Sequence, residues 1–147
     1  MTLRATSFRR AASLGDAPFE IVVLDAGDRH LRRKLITLQH GGELLVDFEK
    51  PAKLSHGDCL VLEDGRLVKV IAAQEDLLEV KGRDTEHLVR LAWHIGNRHL
   101  AAQIEAGRIL IRRDRIIAEM LAHQGAMLRE VSELFEPEYG AYHAHDH

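Results

Sequence analysis

The sequence predicts an α+β protein in two domains, and two observations carry that prediction. Short β-type runs separated by turn residues fill the first half, whereas after Gly82 the apolar positions switch to helical spacing. Expected boundaries are residues 1–75 for a small all-β barrel or sandwich, 76–138 for a mixed domain, and 139–147 for a flexible tail containing histidines. In the first half the strand-like runs are 19–24, 34–38, 43–48, 59–62 and 67–73, with turns at Asp25-Ala26-Gly27-Asp28, His40-Gly41-Gly42 and Ser55-His56-Gly57-Asp58. Between the last two runs, Asp64-Gly65 signals a hairpin, because both residues tolerate the positive backbone angle of a tight turn. Pro51, which donates no backbone hydrogen bond, is expected to end the strand before it.

In the second half a strand over 77–81 comes first. Leu88, Leu91, Ala92 and Ile95 then recur at helical spacing behind the caps Asp84 and Thr85, predicting a helix over 85–95 that Gly96 stops. A strand over 100–105 turns at Ala106-Gly107 into another over 109–111. Asp114 caps a second helix carrying Ile116, Ile117, Met120 and Leu121, with Gly125 as its exit. Residues 127–134 have a mixed pattern that fits a last strand or a further helical turn. With the strand, the order is the βαββαβ of a ferredoxin-like domain.

The composition narrows the function. The chain has 147 residues, 46% apolar and 29% charged, with a formal net charge of -3; this is a normal globular mixture without the strong positive field of a generic nucleic-acid binder. Its one cysteine, Cys59, has no internal disulfide partner and is expected in the core; no apolar run approaches the roughly 20 residues that span a bilayer. Residues 1–10 lack the apolar core of a secretion signal. A reducing cytoplasm is the expected location, with neither nucleic acid nor membrane as partner.

Histidine supplies the chemistry. There are ten, and the chain closes on Tyr142-His143-Ala144-His145-Asp146-His147. Imidazoles at alternate positions of an extended segment project to one side, so two or three of them can close on one nickel, copper or zinc ion. A purification tag or a frayed terminus is the plainer reading, although a tag is normally an unbroken run. Farther in, Trp93-His94-Ile95-Gly96-Asn97-Arg98-His99 holds two histidines five apart. On one continuous helix they diverge by about 140°, too far to chelate together. With Gly96 ending the helix, His99 stands on an exposed junction, where a two-fold axis pairs it with the same residue of a second subunit. His94 fits an electrostatic role at the helix C-terminus better. His30, His40, His56, His87 and His123 are expected on the surface. The basic group Arg108, Arg112, Arg113 and Arg115 is expected to be a solvated face or a contact for an acidic partner.

The residues Gly96-Asn97-Arg98-His99, with His94 before them and Leu100 and Gln103 after, resemble the signature of the urease accessory protein E (UreE) family of nickel metallochaperones. The resemblance extends to Asp28-Arg29 with Arg32-Arg33, to Gly57-Asp58, to Phe135-Glu136-Pro137-Glu138 leading into Gly140-Ala141-Tyr142-His143, and to the His-rich end. It covers almost the whole chain.

The resemblance implies a β-rich N-terminal domain that binds partner proteins, and a ferredoxin-like C-terminal domain that forms a homodimer and binds metal. It implies that His99 from each of two subunits holds one Ni(II), completed by tail histidines among His143, His145 and His147, and that the ion passes to a urease accessory GTPase and on to apo-urease. Two departures matter. Some relatives have a further His-x-His before the second helix, where this chain has Arg113-Asp114-Arg115, so no accessory site is expected there. The short tail argues for few ions per dimer and against nickel storage.

Imidazole sites bind only when deprotonated, and a site without thiolates releases its ion readily. Cu(II) and Zn(II) are expected to compete with nickel. An enzyme is not expected: a metal-dependent hydrolase needs a base and a substrate pocket, and the sequence has neither His-Glu-x-x-His nor Cys-x-x-Cys. A nickel-responsive DNA regulator is the other alternative, and neither accounts for Gly96-Asn97-Arg98-His99.

Overall fold

The structure, a computed structural model, describes residues 2–11 and 17–138. It divides into two compact units between Ala73 and Gln74.

The first unit is a single curled sheet of six strands: β1 (Leu3–Arg9), β2 (Glu20–Leu24), β3 (His30–Thr37), β4 (Glu43–Lys53), β5 (Cys59–Leu62) and β6 (Leu67–Ala72), in the order β2-β6-β5-β1-β4-β3. The Gln39 N–H donates to the Ile21 carbonyl at 3.0 Å, tying the chain after one edge strand to the other. Alternation gives the sheet one apolar face, and Val22, Leu31, Leu44, Val46, Leu60, Leu62, Val68 and Val70 form its core. Asp64-Gly65 makes the expected turn between β5 and β6: Gly65 has φ +90°, and the Asp64 carboxylate accepts the Arg66 N–H at 3.0 Å.

The structure adds one strand here and corrects one expectation. Residues 3–9, to which no strand was assigned from the sequence, form β1 in the middle of the sheet, parallel to β4 and antiparallel to β5. Pro51 does not end a strand, because β4 runs on to Lys53. The β3–β4 register is irregular between Leu31 and Arg33, and β4 residues 48–51 have no partner in it, so Pro51 sits where no N–H is needed.

Several of the quoted matches are structural. Arg29 is 1% exposed, its Nε donating to the Leu54 carbonyl and Nη1 to that of Leu24. Buried Asp58 accepts from Arg10 at 2.8 Å and from the Ser55 and Ala11 N–H groups. Cys59 lies in the core as expected, and burial pushes its thiol above the usual range.

In the second unit the order is β7 (Gln74–Lys81), α1 (Thr85–Asn97), β8 (Ala102–Glu105), β9 (Arg108–Arg112), α2 (Arg115–His123) and β10 (Met127–Leu134), the expected βαββαβ. Its sheet order is β10-β7-β9-β8, all neighbours antiparallel. Residues 127–134 are therefore a strand. Both helices begin at the expected caps, where Asp84 accepts the His87 N–H at 2.7 Å and Asp114 that of Ile117 at 3.0 Å. Leu91, Ile95, Ile117 and Leu121 pack with Leu78, Val80, Ile109 and Ile111 in one core. Gly125, at φ +84°, gives α2 the left-handed exit predicted for it.

Helix α1 differs from expectation at its end. It passes through Gly96 to Asn97, and the residue with the left-handed backbone is His99, at φ 60°. The following strand starts at Ala102 rather than at residue 100.

Candidate metal site

His99 is placed by the end of α1. The Arg98 N–H donates to the Ile95 carbonyl at 3.1 Å and the His99 N–H to that of Gly96 at 2.9 Å, closing the last turn before the chain leaves for β8. A side chain with a Cβ costs about 1–2 kcal/mol in the left-handed region, although histidine is among the types found there more often. His99 is exposed. Among the described residues, no group of three or more His, Cys, Asp or Glu side chains is arranged to hold a metal ion. One imidazole on a surface is a weak ligand set; any firm site at His99 needs donors from beyond these residues.

The chain after β10 approaches that position. Strands β10 and β8 are opposite edges of the sheet. Residues 135–138 cross from one to the other, on the face that bears Arg112. Phe135 is fully buried, with the Arg112 guanidinium 5.3 Å from its ring centre. The Glu136 N–H donates to Gln103 Oε1 at 2.8 Å. Glu138 then pairs with Ala102 through two backbone hydrogen bonds, of 2.9 and 2.7 Å. The last described residue is thus bonded to a position three residues from His99. His143, His145 and His147 themselves lie outside the described residues, as does Gly140-Ala141-Tyr142.

Other histidines sort clearly. His87 was expected on the surface and is instead buried, at 5% exposure. Its Nδ1 accepts the Arg83 N–H at 3.1 Å and its Nε2 donates to the Gln124 carbonyl at 2.9 Å, joining the turn before α1 to the turn after α2. His94 lies in the last turn of α1, edge-on to the Trp93 ring at 5.1 Å. It shares with Arg83, His87, Arg90, Trp93 and Gln124 an open groove of about 570 Å³, whose lining does not include His99. His40, His56 and His123 are exposed as expected.

Of the arginine group, Arg112, Arg113 and Arg115 are exposed, as a solvated face requires, but the charges are paired with carboxylates of the same unit. Arg108 bonds Glu79 at 2.9 Å, Glu105 at 3.1 Å and Glu133 at 2.7 Å, and Arg129 reaches Glu79 at 3.2 Å. Glu133, Glu105 and Glu79 together hold the Arg108 guanidinium firmly protonated. Burial pushes the Glu79 carboxyl up, but hydrogen bonds from Arg108 and Arg129 outweigh it and hold it below the usual carboxylate range. Arg112 pairs with Glu75 at 3.2 Å, and Arg113 donates to the Leu77 and Val131 carbonyls. The charge that suggested a partner is mostly consumed within the sheet.

Sequence reasoning missed the crossing segment and the buried role of His87. His87 was findable, since it stands four and eight residues before Leu91 and Ile95 on the stripe that α1 buries.

This is an α+β protein that carries an imidazole on an exposed helix terminus, with residues 135–138 crossing back to the strand that follows it. The comparisons with known proteins are specific. Residues 5–73 match the N-terminal domain of the UreE urease accessory protein and residues 75–147 its C-terminal domain. The chain belongs to the UreE urease accessory protein family, which is one of accessory proteins and not of enzymes. The urease accessory protein UreE of Agrobacterium fabrum is 52% identical over 143 residues, covering 97% of this chain and 89% of that one. Urease accessory protein UreE 1 of Brucella suis is 52% identical over 140 residues, 95% of this chain and 86% of the relative, and that of Mesorhizobium japonicum 54% over 140 residues, 95% and 71%.

Proposed function

We propose that this protein is a metallochaperone that carries Ni(II) to urease during assembly of its active site. Membership of the family supports a role in urease maturation and, with it, the handling of nickel. In this reading the second unit is a ferredoxin-like, metal-binding and dimerising domain. One Ni(II) is held between two subunits by His99 of each, and histidines among His143, His145 and His147 complete its coordination. The observation that carries the reading is the bonding of Glu138 to Ala102, which returns the chain to the neighbourhood of His99 just before the tail. At about 3.3–3.6 Å per residue, the five residues from Glu138 to His143 span up to roughly 18 Å, and the three from Ala102 to His99 up to roughly 11 Å.

A homodimer has a surface available. Val89 and Trp93 are 63% and 64% exposed one turn apart on α1, and Gly96, on the same stripe, leaves open space. These residues supply the apolar contact that an isologous pairing near His99 requires. Imidazole donors hold the ion reversibly, so affinity falls as acid protonates them, and Cu(II) and Zn(II) compete for the same ligands. The first unit is the docking domain for partners, which are the urease accessory GTPase and the complex containing apo-urease. The setting is the cytoplasm; no helix among the described residues is long and apolar enough to cross a membrane.

Calorimetry with Ni(II) on the parent and on His99→Ala, with the oligomeric state measured alongside, tests this. The expected result is loss of the tightest site with the dimer intact. Retention of that site in His99→Ala would refute the assignment.

A further inference from the structure

We infer that the outer face of β3 and β4 in the first unit is a docking site for an acidic segment of a partner protein, gripped by Arg32 and Arg33 and anchored on Leu35. The inference rests on the reading of the first unit as a docking domain.

The site is made by a break in the alternation of β3. Successive residues of a regular strand face opposite sides of the sheet. Leu31 and Ile36, an odd number of positions apart, both lie in the core, so the phase switches between them. The switch falls at the irregularity between Leu31 and Arg33, opposite residues 48–51 of β4. From Arg33 onward the pairing is regular. Arg33 stands opposite Asp47 and Leu35 opposite Leu45, both pairs on the side away from buried Ile36, Leu44 and Val46. Arg32, at the irregularity, reaches the same carboxylate. Asp47 thus has nitrogens of Arg4, Arg33 and Arg32 at 2.8, 3.4 and 3.7 Å. Irregularities of this kind re-aim side chains, and here one turns two adjacent guanidiniums to the same side.

Arg4 alone suffices for Asp47. It makes the shortest contact, and its hydrogen bond does most to hold the Asp47 carboxyl below the usual carboxylate range, ahead of the charges of Arg33 and Arg32. Three exposed guanidiniums around one carboxylate leave a surplus of positive charge, which Glu63, 3.4 Å from Arg4, offsets only in part. A guanidinium is a planar fork of N–H donors suited to a carboxylate. Beside the fork is an apolar anchor: Leu35 is 53% exposed against partly buried Leu45, whose other neighbour in register is Arg4. An apolar centre rimmed by arginine has the composition of a protein interface, and the sign of the surplus selects an acidic segment. A phosphate backbone fits less well, because Asp47 and Glu63 interrupt the patch and Leu35 offers it no contact.

The test is biolayer interferometry of the full chain against the urease accessory GTPase and the complex containing apo-urease. Four proteins are compared: the parent, Arg32→Gln with Arg33→Gln, Leu35→Ser, and a control, Arg90→Gln with Arg115→Gln, which removes the same charge from exposed pairs of the second unit. Expected is partner affinity at least about tenfold weaker without Arg32 and Arg33, about threefold weaker in Leu35→Ser and within about twofold of the parent in the control. Parental affinity is expected to fall as salt rises from about 50 to about 500 mM. Thermal unfolding and nickel affinity stay parental, since Arg4 still satisfies Asp47; if the double variant melts early, Arg32→Gln alone, which removes the nitrogen farthest from Asp47, takes its place. Parental affinity in the patch variants overturns the inference and leaves the docking reading standing. Equal weakening in the control also overturns it, because the attraction is then general. If neither partner binds the parent, the docking reading itself fails and this site with it. Patch-dependent binding of a labelled DNA duplex, without patch-dependent binding of either partner, assigns the face to nucleic acid and likewise overturns the inference.

Discussion

Replacing His99 by glycine separates the demands of the fold from those of the site. At φ 60° a residue with a Cβ carries about 1–2 kcal/mol of backbone strain, which glycine relieves. Glycine is also freer in the unfolded chain, which costs about 0.5–1 kcal/mol. The backbone contributions alone balance to between unchanged and about 1.5 kcal/mol more stable, or up to about 5 °C higher in Tm for a chain of this size, before the contacts of the imidazole are counted. Alanine retains the strain and is expected to be no more stable than the parent. Urea unfolding followed by the fluorescence of Trp93, the only tryptophan, and by far-ultraviolet circular dichroism measures the difference. Both variants are expected to lose the tightest nickel site. If His99→Gly destabilises by more than about 1 kcal/mol, the imidazole supports the fold through its own contacts, and the reasoning that backbone strain dominates at this position is refuted.

Three other outcomes are expected. Arg108→Met strips Glu79, 4% exposed, of its main partner and destabilises by about 2–3 kcal/mol at neutral pH. In the parent, the lowered values of Glu79 and Glu133 mean that their stabilisation is present above the unfolded carboxylate value and is lost as pH falls through the folded one. In the variant, burial dominates at Glu79, so the deficit shrinks on acidification; a deficit constant from pH 7 to 4 by urea unfolding contradicts this. His87→Phe leaves the Arg83 N–H and the Gln124 carbonyl without their side-chain partner, costing about 2–4 kcal/mol, with nickel affinity of the folded protein near parental by calorimetry. Cys59, 1% exposed with its thiol pushed up by burial, is expected to react with a thiol reagent at pH 8 only after denaturant is added.

The fold was legible where local signals agree with the tertiary structure. Asp64-Gly65, Asp84, Asp114 and Gly125 each mark a turn or a helix end whose geometry only a few residue types satisfy, and the βαββαβ order follows from them. Strand β1 was not legible because its single fully buried residue is the small Ala5, while Arg4, Thr6, Ser7 and Arg9 face outward and the register slips between Ala5 and Ser7. Pro51 misled because a sequence does not reveal which stretch of a strand lacks a hydrogen-bonding neighbour. Gly96 misled for a related reason: glycine permits a helix to end without compelling it, and the left-handed turn fell three residues later on a histidine. Gln103 and residues 135–138 were visible as a likeness but carried no contact until the two edges of the sheet were placed.

The pairing of Glu138 with Ala102 has a meaning for solubility as well. An outer strand with unsatisfied backbone groups is a template on which another chain can add, and proteins avoid this by covering such borders. Here the polypeptide covers part of β8 with its own downstream residues, so a chain cut before Phe135 would bare that border and tend to self-associate into extended aggregates instead of closed pairs.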